Sequence, residues 1–449
     1  MNHVNKIAKL KLSSRYLKAA VFCAMALVLA GCGHVVEYFG FIHQQSEIKN
    51  AFDNDPSAAL VWRIKPEDCY LLIGKLAIDQ EHRGPILIVA VTDRFKKREI
   101  ALAAPMQTPL DYYQAYLPEG DYQILFFVDL DGNGYFDNDE MVGGTSGYSV
   151  RVAKSEAKDG MTVTGPDFTL HRANATRTDL AVKVKVRERS YVINSLDDEF
   201  FDPSYGYTGL FNPLAFLTHT QGYIFSLEKP APEKGKTHIV FVHGIGGTPR
   251  DFRFFVEGLD RNRYHPWFYY YPSGMPLQKL GANLADIIKY SKKNNESDSG
   301  GVIIVAHSMG GLVSLSALNE LCSDDLPSYL KGYVSFNSPY GGVDSAAISV
   351  HYAPDVAIVP AWRDLVSGGP FLERLYRGNA LKSIPFYLFF SYKTGDSGDG
   401  TIDLRSQLES RVHLSASKSY GFNADHVSIL NDEQVRQLFY RVLAAIDHR

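Results

Sequence analysis

The chain has 449 residues, 45% hydrophobic and 21% charged, with 27 Tyr, 26 Phe and a formal net charge of −4. That composition supplies large apolar cores and excludes extended disorder, and at about 150 residues per domain the length predicts two or three folded units. The small negative charge, with no basic stripe of interleaved aromatics, excludes a nucleic-acid partner.

The N-terminus carries Lys6, Lys9, Lys11, Arg15 and Lys18 and then the apolar stretch AAVFCAMALVLAG. That stretch is too short to span a bilayer comfortably and predicts a signal peptide over residues 1–31. It ends in Leu29-Ala30-Gly31-Cys32, which resembles the lipobox of bacterial lipoproteins. The resemblance implies cleavage before Cys32 and acylation of its thiol, with chains such as palmitate contributing about 0.8 kcal/mol per buried methylene. Residues 32–59 then form a lipidated tether on the membrane. Gly33 is not the aspartate associated with inner-membrane retention in Gram-negative lipoproteins, which favours the outer membrane of the cell envelope. Of the other cysteines, Cys23 leaves with the signal, and Cys69 and Cys322 fall in different expected domains, which predicts two reduced thiols. No cysteine and histidine cluster has zinc spacing.

Residues 60–172 alternate in short β-rich runs, YLLIGKLAI, PILIVAVTD, DYQILFFVD and GYSVRV, divided by Gly, Pro and Asp turns. This pattern predicts a small antiparallel β-sandwich with no nucleophile and base of its own. Within it, the loop from Asp129 to Glu140 matches the twelve-residue calcium pattern, with Asp129, Asp131, Asn133, the Tyr135 carbonyl, Asp137 and Glu140 as ligands. A strand and not a helix precedes it, so a structural Ca2+ site and a plain acidic hairpin turn both remain open. Residues 173–204 read as a connector, charged first and then aromatic.

Residues 205–449 form the expected C-terminal domain, in which from 237 the period changes to apolar strands and amphipathic helices in turn. Leu277, Leu280, Leu284, Ile287 and Ile288 define one helical stripe, and Val435, Leu438, Phe439, Val442, Leu443 and Ile446 another. Such alternation predicts a mainly parallel sheet covered by helices on both faces.

The strand VIIVAH runs into Ser308-Met309-Gly310-Gly311. With Ala306 and Gly310 as small residues two before and two after the serine, this resembles the nucleophile elbow of the α/β-hydrolase superfamily, Ala standing for the usual first Gly. The resemblance implies the α/β-hydrolase fold and a serine nucleophile, which needs a base and an acid later in the chain. His426, in a polar loop before the last helix, takes the base position in preference to His413 and His351. The loop after FYLFFSY offers Asp396, Asp399 and Asp403; Asp399, followed by Gly and two β-branched residues, resembles the family's acid, with the other two as alternatives. Upstream, Phe241-Val242-His243-Gly244-Ile245 resembles the family's His-Gly loop, which implies an oxyanion hole made by the backbone N–H groups of Ile245 and Met309, with His243 structural.

The resemblance therefore implies a membrane-anchored serine esterase or lipase acting on lipid or small acyl esters, with no cofactor required for catalysis. An acyltransferase, thioesterase or amidase would share the same triad, and a binding or scaffold lipoprotein is the non-catalytic alternative. The stretch SPYGGVDSA and then residues 359–385 resemble the family's cap-forming insertion, in which Trp362, Phe371, Leu372, Leu375 and Tyr376 line an acyl pocket or, equally, form ordinary core.

Overall fold

A computed structural model describes residues 69–447, apart from 80–81, 83, 95–96, 107–111, 158–161, 186–194, 199–200, 212, 214–215, 217–223, 228–234, 295–299 and 353–357. The expected signal peptide, Cys32 and the tether lie outside the described residues.

The first unit is β-rich. One sheet joins β1 (Cys69–Ile78), β4 (Tyr112–Pro118), β9 (Thr162–Thr164) and β10 (Phe168–Leu170); the other joins β2 (Ile86–Arg94), β3 (Lys97–Met106), β5 (Gly120–Val128), β7 (Met141–Gly144) and β8 (Val150–Val152). Leu72, Tyr113 and Leu117 from the first sheet and Ile86, Ile88, Ile124 and Phe126 from the second share one apolar cluster, so the sheets pack on a common core. The pairing is not purely antiparallel as expected, because β9 and β10 both run parallel to β1.

The expected boundary at 172 also moves. Strand β11 (Lys183–Lys185) pairs antiparallel with β6 (Tyr135–Asp137), and Leu180 and Val182 pack with Leu87, Val89, Phe127 and Phe136. The alternating apolar residues of Leu180-Ala-Val182-Lys-Val184 cover the outer face of β2 and β5, so the first part of the expected connector belongs to the β-rich unit. Its last residues begin helix α1 (Pro203–Phe211), and Leu210 packs into a core of the second unit.

The second unit is a seven-stranded sheet in the order β12-β14-β13-β15-β16-β17-β18. Here β12 is Ile224–Ser226, β13 Thr237–Val242, β14 Tyr264–Tyr269, β15 Val302–His307, β16 Leu330–Phe336, β17 Phe386–Tyr392 and β18 Lys418–Asn423. Only the β12 pairing is antiparallel. Every residue of β13 and of β15 is buried, because strand neighbours close both edges and helices cover both faces. Val302, Ile304 and Ala306 face the core formed with α2 (Leu277–Asn294) and α3 (Gly310–Leu321); Ile303 and Val305 face the core formed with α4 (Glu433–Asp447). The sequence reading did not identify the edge strands β12 and β18. Each has a single strand neighbour, and the residues of β18 are half-buried or exposed, so no apolar run marks it.

The two units also pack together. Cys69, Leu71 and Tyr116 of the β-rich unit join the core cluster of α2, and Lys279 Nζ donates to the Cys69 carbonyl at 3.0 Å while lying over the Tyr70 ring. Strand β13 is followed in the chain by β14 on one side of it, after which the chain crosses to β15 on the other. A crevice opens at the carboxyl ends of strands where such a reversal occurs. The loop after β13 and the residue after β15 meet there.

Candidate active site

Ser308 follows the last residue of β15 with φ of 54°, in the left-handed region that L side chains avoid. Its N–H donates to the Phe336 carbonyl at 2.9 Å, and α3 starts two residues later. The small neighbours have steric reasons. A Cβ on Gly310 would come within 2.4 Å of the carbonyl oxygens of both Val242 and His243, and one on Gly244 within 2.9 Å of Ser308 Cβ. Ala306 is fully buried.

His426 reaches this serine from the loop between β18 and α4. Its Nε2 is 2.8 Å from Ser308 Oγ, and its Nδ1 is 2.7 Å from Asp399 Oδ2. Asp399 is completely buried, and its Oδ1 accepts from the N–H groups of Thr401 at 2.9 Å and Ile402 at 2.7 Å. An ionised carboxylate only accepts, so Nδ1 carries the imidazole proton and Nε2 is left to accept from the Ser308 hydroxyl. Of the other two acids, Asp396 is exposed and accepts from Ser397 N, while Asp403 accepts from the Ser397 hydroxyl; the structure brings neither to His426. His413 lies 3.3 Å from the Ser419 hydroxyl and His351 is exposed on its helix; the ring that bridges Ser308 and Asp399 is that of His426.

The sequence reading missed Gln407. Its Nε2 lies within hydrogen-bond distance of Asp399 Oδ2 (3.2 Å), Ser391 O (3.1 Å) and Ile402 O (3.0 Å), and its Oε1 accepts from Ser391 N at 3.1 Å. A buried glutamine thus ties the acid loop to β17. No local motif announces it, because its partners are five, eight and sixteen residues away.

Across the crevice, the loop from His243 to Thr248 is held stiffly. The Tyr271 hydroxyl donates to His243 O at 2.6 Å, Ser273 Oγ accepts from Gly246 N at 2.9 Å, and Gly247 N donates to Gly244 O at 3.2 Å. His243 is buried, its Nδ1 donating to Gly244 O at 2.7 Å and its Nε2 accepting from Tyr271 N at 3.3 Å. Burial pushes its pKa down to about 4, so the ring is neutral and serves the loop. Among the described residues, neither Ile245 N–H nor Met309 N–H donates to an acceptor of the chain. Apolar side chains stand exposed around this mouth: Ile245 itself, Tyr207 packed on Gly246, and Val427 next to His426.

The expected cap residues divide. Phe371, Leu372 and Leu375 are buried in the core that α3 shares, so for these three the ordinary core reading holds. Trp362 is half-buried and edge-on to Phe211, and the Tyr376 hydroxyl donates to Tyr340 O.

Far from this crevice, the acidic loop after β5 gathers carboxylate oxygens of Asp129, Asp131 and Glu140 within 4.8 Å of one another. Their partners are the loop's own N–H groups. Glu140 accepts from Leu130 (2.6 Å) and Asp137 (2.9 Å), and Asp129 from Gly132 (2.8 Å) and Gly134 (3.0 Å). Asn133 Nδ2 donates to Asp131 and Asp137, and its Oδ1 accepts from Tyr135 N. The convergence suits a hard cation, and the N–H partners suit a tight turn.

Beneath the His243 loop, Asp251 accepts from Thr248 N at 3.1 Å, and burial pushes its carboxyl up to about 6. The folded state therefore holds a proton more tightly than the unfolded chain. The resulting stability is present below the ordinary carboxylate range and is lost as pH rises through about 6. Asp251→Asn keeps an acceptor for Thr248 without the buried charge. Denaturant unfolding is expected to show the variant more stable than the parent by on the order of 3 kcal/mol at pH 8, an advantage that vanishes by pH 4.

Residues 239–436, less than half of the chain, match the model of the Alpha/beta hydrolase family. No curated protein matches the sequence. Among solved structures, the chain is similar to the mature lipase BlEst2 of Bacillus licheniformis, at 21% identity over 49% of this chain and 98% of that one, with a TM-score of 0.40. It is similar to lipase B of Aspergillus fumigatus at 17% identity, over 49% of this chain and 56% of that one, with a TM-score of 0.40. It is also similar to YbtT, a type II thioesterase from the yersiniabactin pathway, at 14% identity, over 51% of this chain and 99% of that one, with a TM-score of 0.33. With the strand order and the turn at Ser308, the family match establishes the α/β-hydrolase fold for the C-terminal part of the chain.

Proposed function

We propose that the protein is a serine hydrolase that cleaves carboxylic esters of lipids or small acyl groups. The reading is carried by one observation, the unbroken line of hydrogen bonds from Ser308 Oγ through His426 to the buried Asp399. In this mechanism His426 Nε2 takes the hydroxyl proton as Ser308 attacks the carbonyl carbon, and Asp399 stabilises the imidazolium that forms. Negative charge developing on the carbonyl oxygen is met by the N–H groups of Ile245 and Met309, each worth about 2.7 to 4 kcal/mol in the transition state. His426 then returns the proton to the leaving alcohol, and water, activated by the same imidazole, releases the acyl group from Ser308. The chemistry needs no cofactor. The exposed apolar side chains at the mouth, Ile245, Tyr207 and Val427, support an apolar acyl substrate over a charged one. Thioester, amide or acyl-transfer chemistry would run on the same groups and differ only in leaving group or acceptor.

The reading includes attachment to the bacterial cell envelope through a lipid on Cys32, preferentially at the outer membrane. No described helix is long and apolar enough to cross a membrane. Labelled palmitate is expected to enter the parent chain and not Cys32→Ser, which should leave the membrane fraction; equal labelling of both would refute the anchor.

A fluorophosphonate probe tests the chemistry. Labelling is expected on Ser308, absent in Ser308→Ala and strongly slowed in His426→Ala. Ester turnover should fall by on the order of 10⁴-fold in Asp399→Asn and stay near normal in Asp396→Asn. Probe labelling that survives Ser308→Ala, or the reverse order of the two aspartate variants, would contradict the assignment.

A further inference from the structure

The base is held by more than its two ring nitrogens. His426 N donates to Asp399 O at 3.1 Å, and its carbonyl oxygen accepts from two side chains, His307 Nε2 at 2.8 Å and Asn337 Nδ2 at 3.1 Å. Both lone pairs of that oxygen are thereby used. From this geometry we infer that His307 and Asn337 are positioning residues, a two-armed clamp on the His426 carbonyl that sets the imidazole between Ser308 and Asp399. The inference rests on the triad reading above and assigns the two residues a part in it.

The placement of the arms carries the argument. His307 is bonded directly to Ser308, so its ring spans the gap between nucleophile and base from the nucleophile's own backbone. A carbonyl only accepts, so His307 Nε2 carries a hydrogen. Burial pushes this imidazole down to about 3, and it stays a neutral donor wherever His426 works as a base. Asn337 stands at the end of the next strand, β16, and its N–H donates to Phe389 O on β17 at 3.0 Å. Its amide also donates to Ser391 Oγ at 2.7 Å, which ties the arm to the strand that leads into the acid loop. The ends of β15, β16 and β17 therefore all bear on one carbonyl.

Asn337 is also expensive for the fold. Its φ of 47° lies in the left-handed region, and its Oδ1 is buried with no hydrogen-bond partner. Strain and an unsatisfied buried acceptor at a single residue mark a position kept for geometry over stability.

Four single variants, and the double variant of His307→Phe with Asn337→Gly, test the clamp. His307→Phe keeps the ring and removes the donor, whereas His307→Gln restores an N–H. Asn337→Gly keeps the left-handed backbone without the amide, and Asn337→Asp presents an acceptor to an acceptor. Turnover of a short-chain p-nitrophenyl ester is measured per active site, counted by fluorophosphonate labelling at completion, so partial unfolding does not enter the rate. Expected are a loss of about tenfold in kcat for His307→Phe and for Asn337→Gly, on the order of 10²-fold for the double variant, and little change in KM. Asn337→Asp should be at least as slow as Asn337→Gly, and His307→Gln should recover most of kcat. As the imidazole loses its fixed contact with Asp399, the acid limb of kcat/KM against pH should move to lower pH. Unchanged kcat per labelled site and an unmoved pH profile, with only a lower Tm, would overturn the clamp while leaving the triad reading intact. Full turnover in Ser308→Ala would overturn the triad reading and the clamp with it.

Discussion

The left-handed backbone of Ser308 is the constraint on which the rest of the site depends. Holding an L residue at φ of 54° costs on the order of 1 to 3 kcal/mol, and the surroundings must over-determine it. They do so by close approach. The end of β13 presses so near the turn that positions 244 and 310 admit only glycine, and the bond from Ser308 N to Phe336 O fixes the serine against β16. The strain at Ser308 and the need for glycine at 244 and 310 therefore have one cause. Next to this turn, the N–H groups of Ile245 and Met309 have no acceptor among the described residues.

The sheet explains why three distant segments meet at that turn. Strand order reverses between β13 and β15, and the carboxyl ends of β13, β15, β16 and β17 all open to one edge. Each contributes a different element there: the His243 loop, Ser308, Asn337 and the loop of Asp399. His426 arrives from β18 and is gripped by three of them. Much of the rigidity comes from buried polar side chains satisfied across strands, including Gln407 on the acid loop and His243 under the glycine loop. Two buried histidines with depressed pKa values remain neutral, so they act as fixed donors and acceptors and add no competing charge near His426.

What could be read from the sequence was what local sterics dictate. A serine between small residues at the end of an apolar run, the His-Gly loop, and a late Asp-Gly and histidine are all short-range patterns, and the structure brings Ser308, Asp399 and His426 within hydrogen-bond distance. The helical stripes of α2 and α4 were legible because burial on one face imposes a 3.6-residue period. Gln407, His307 and Asn337 were not, since each works through a partner far along the chain and none has a type or spacing that betrays it. The segment around β11 was misread as a connector because its lysines mask the alternation of Leu180, Val182 and Val184, and β18 was missed because an edge strand needs no apolar run. The expected signal peptide, lipobox and tether lie outside the described residues.

The central claim is that the turn at Ser308 and the loop at Ile245 form one electrophile-binding centre. The most direct measurement is a crystal structure of the protein after reaction with a phosphonate ester. The account predicts phosphorus bonded to Ser308 Oγ, with the phosphoryl oxygen about 2.7 to 3.1 Å from both Ile245 N and Met309 N. Phosphorus on another residue, or a phosphoryl oxygen turned away from those two groups, would contradict it.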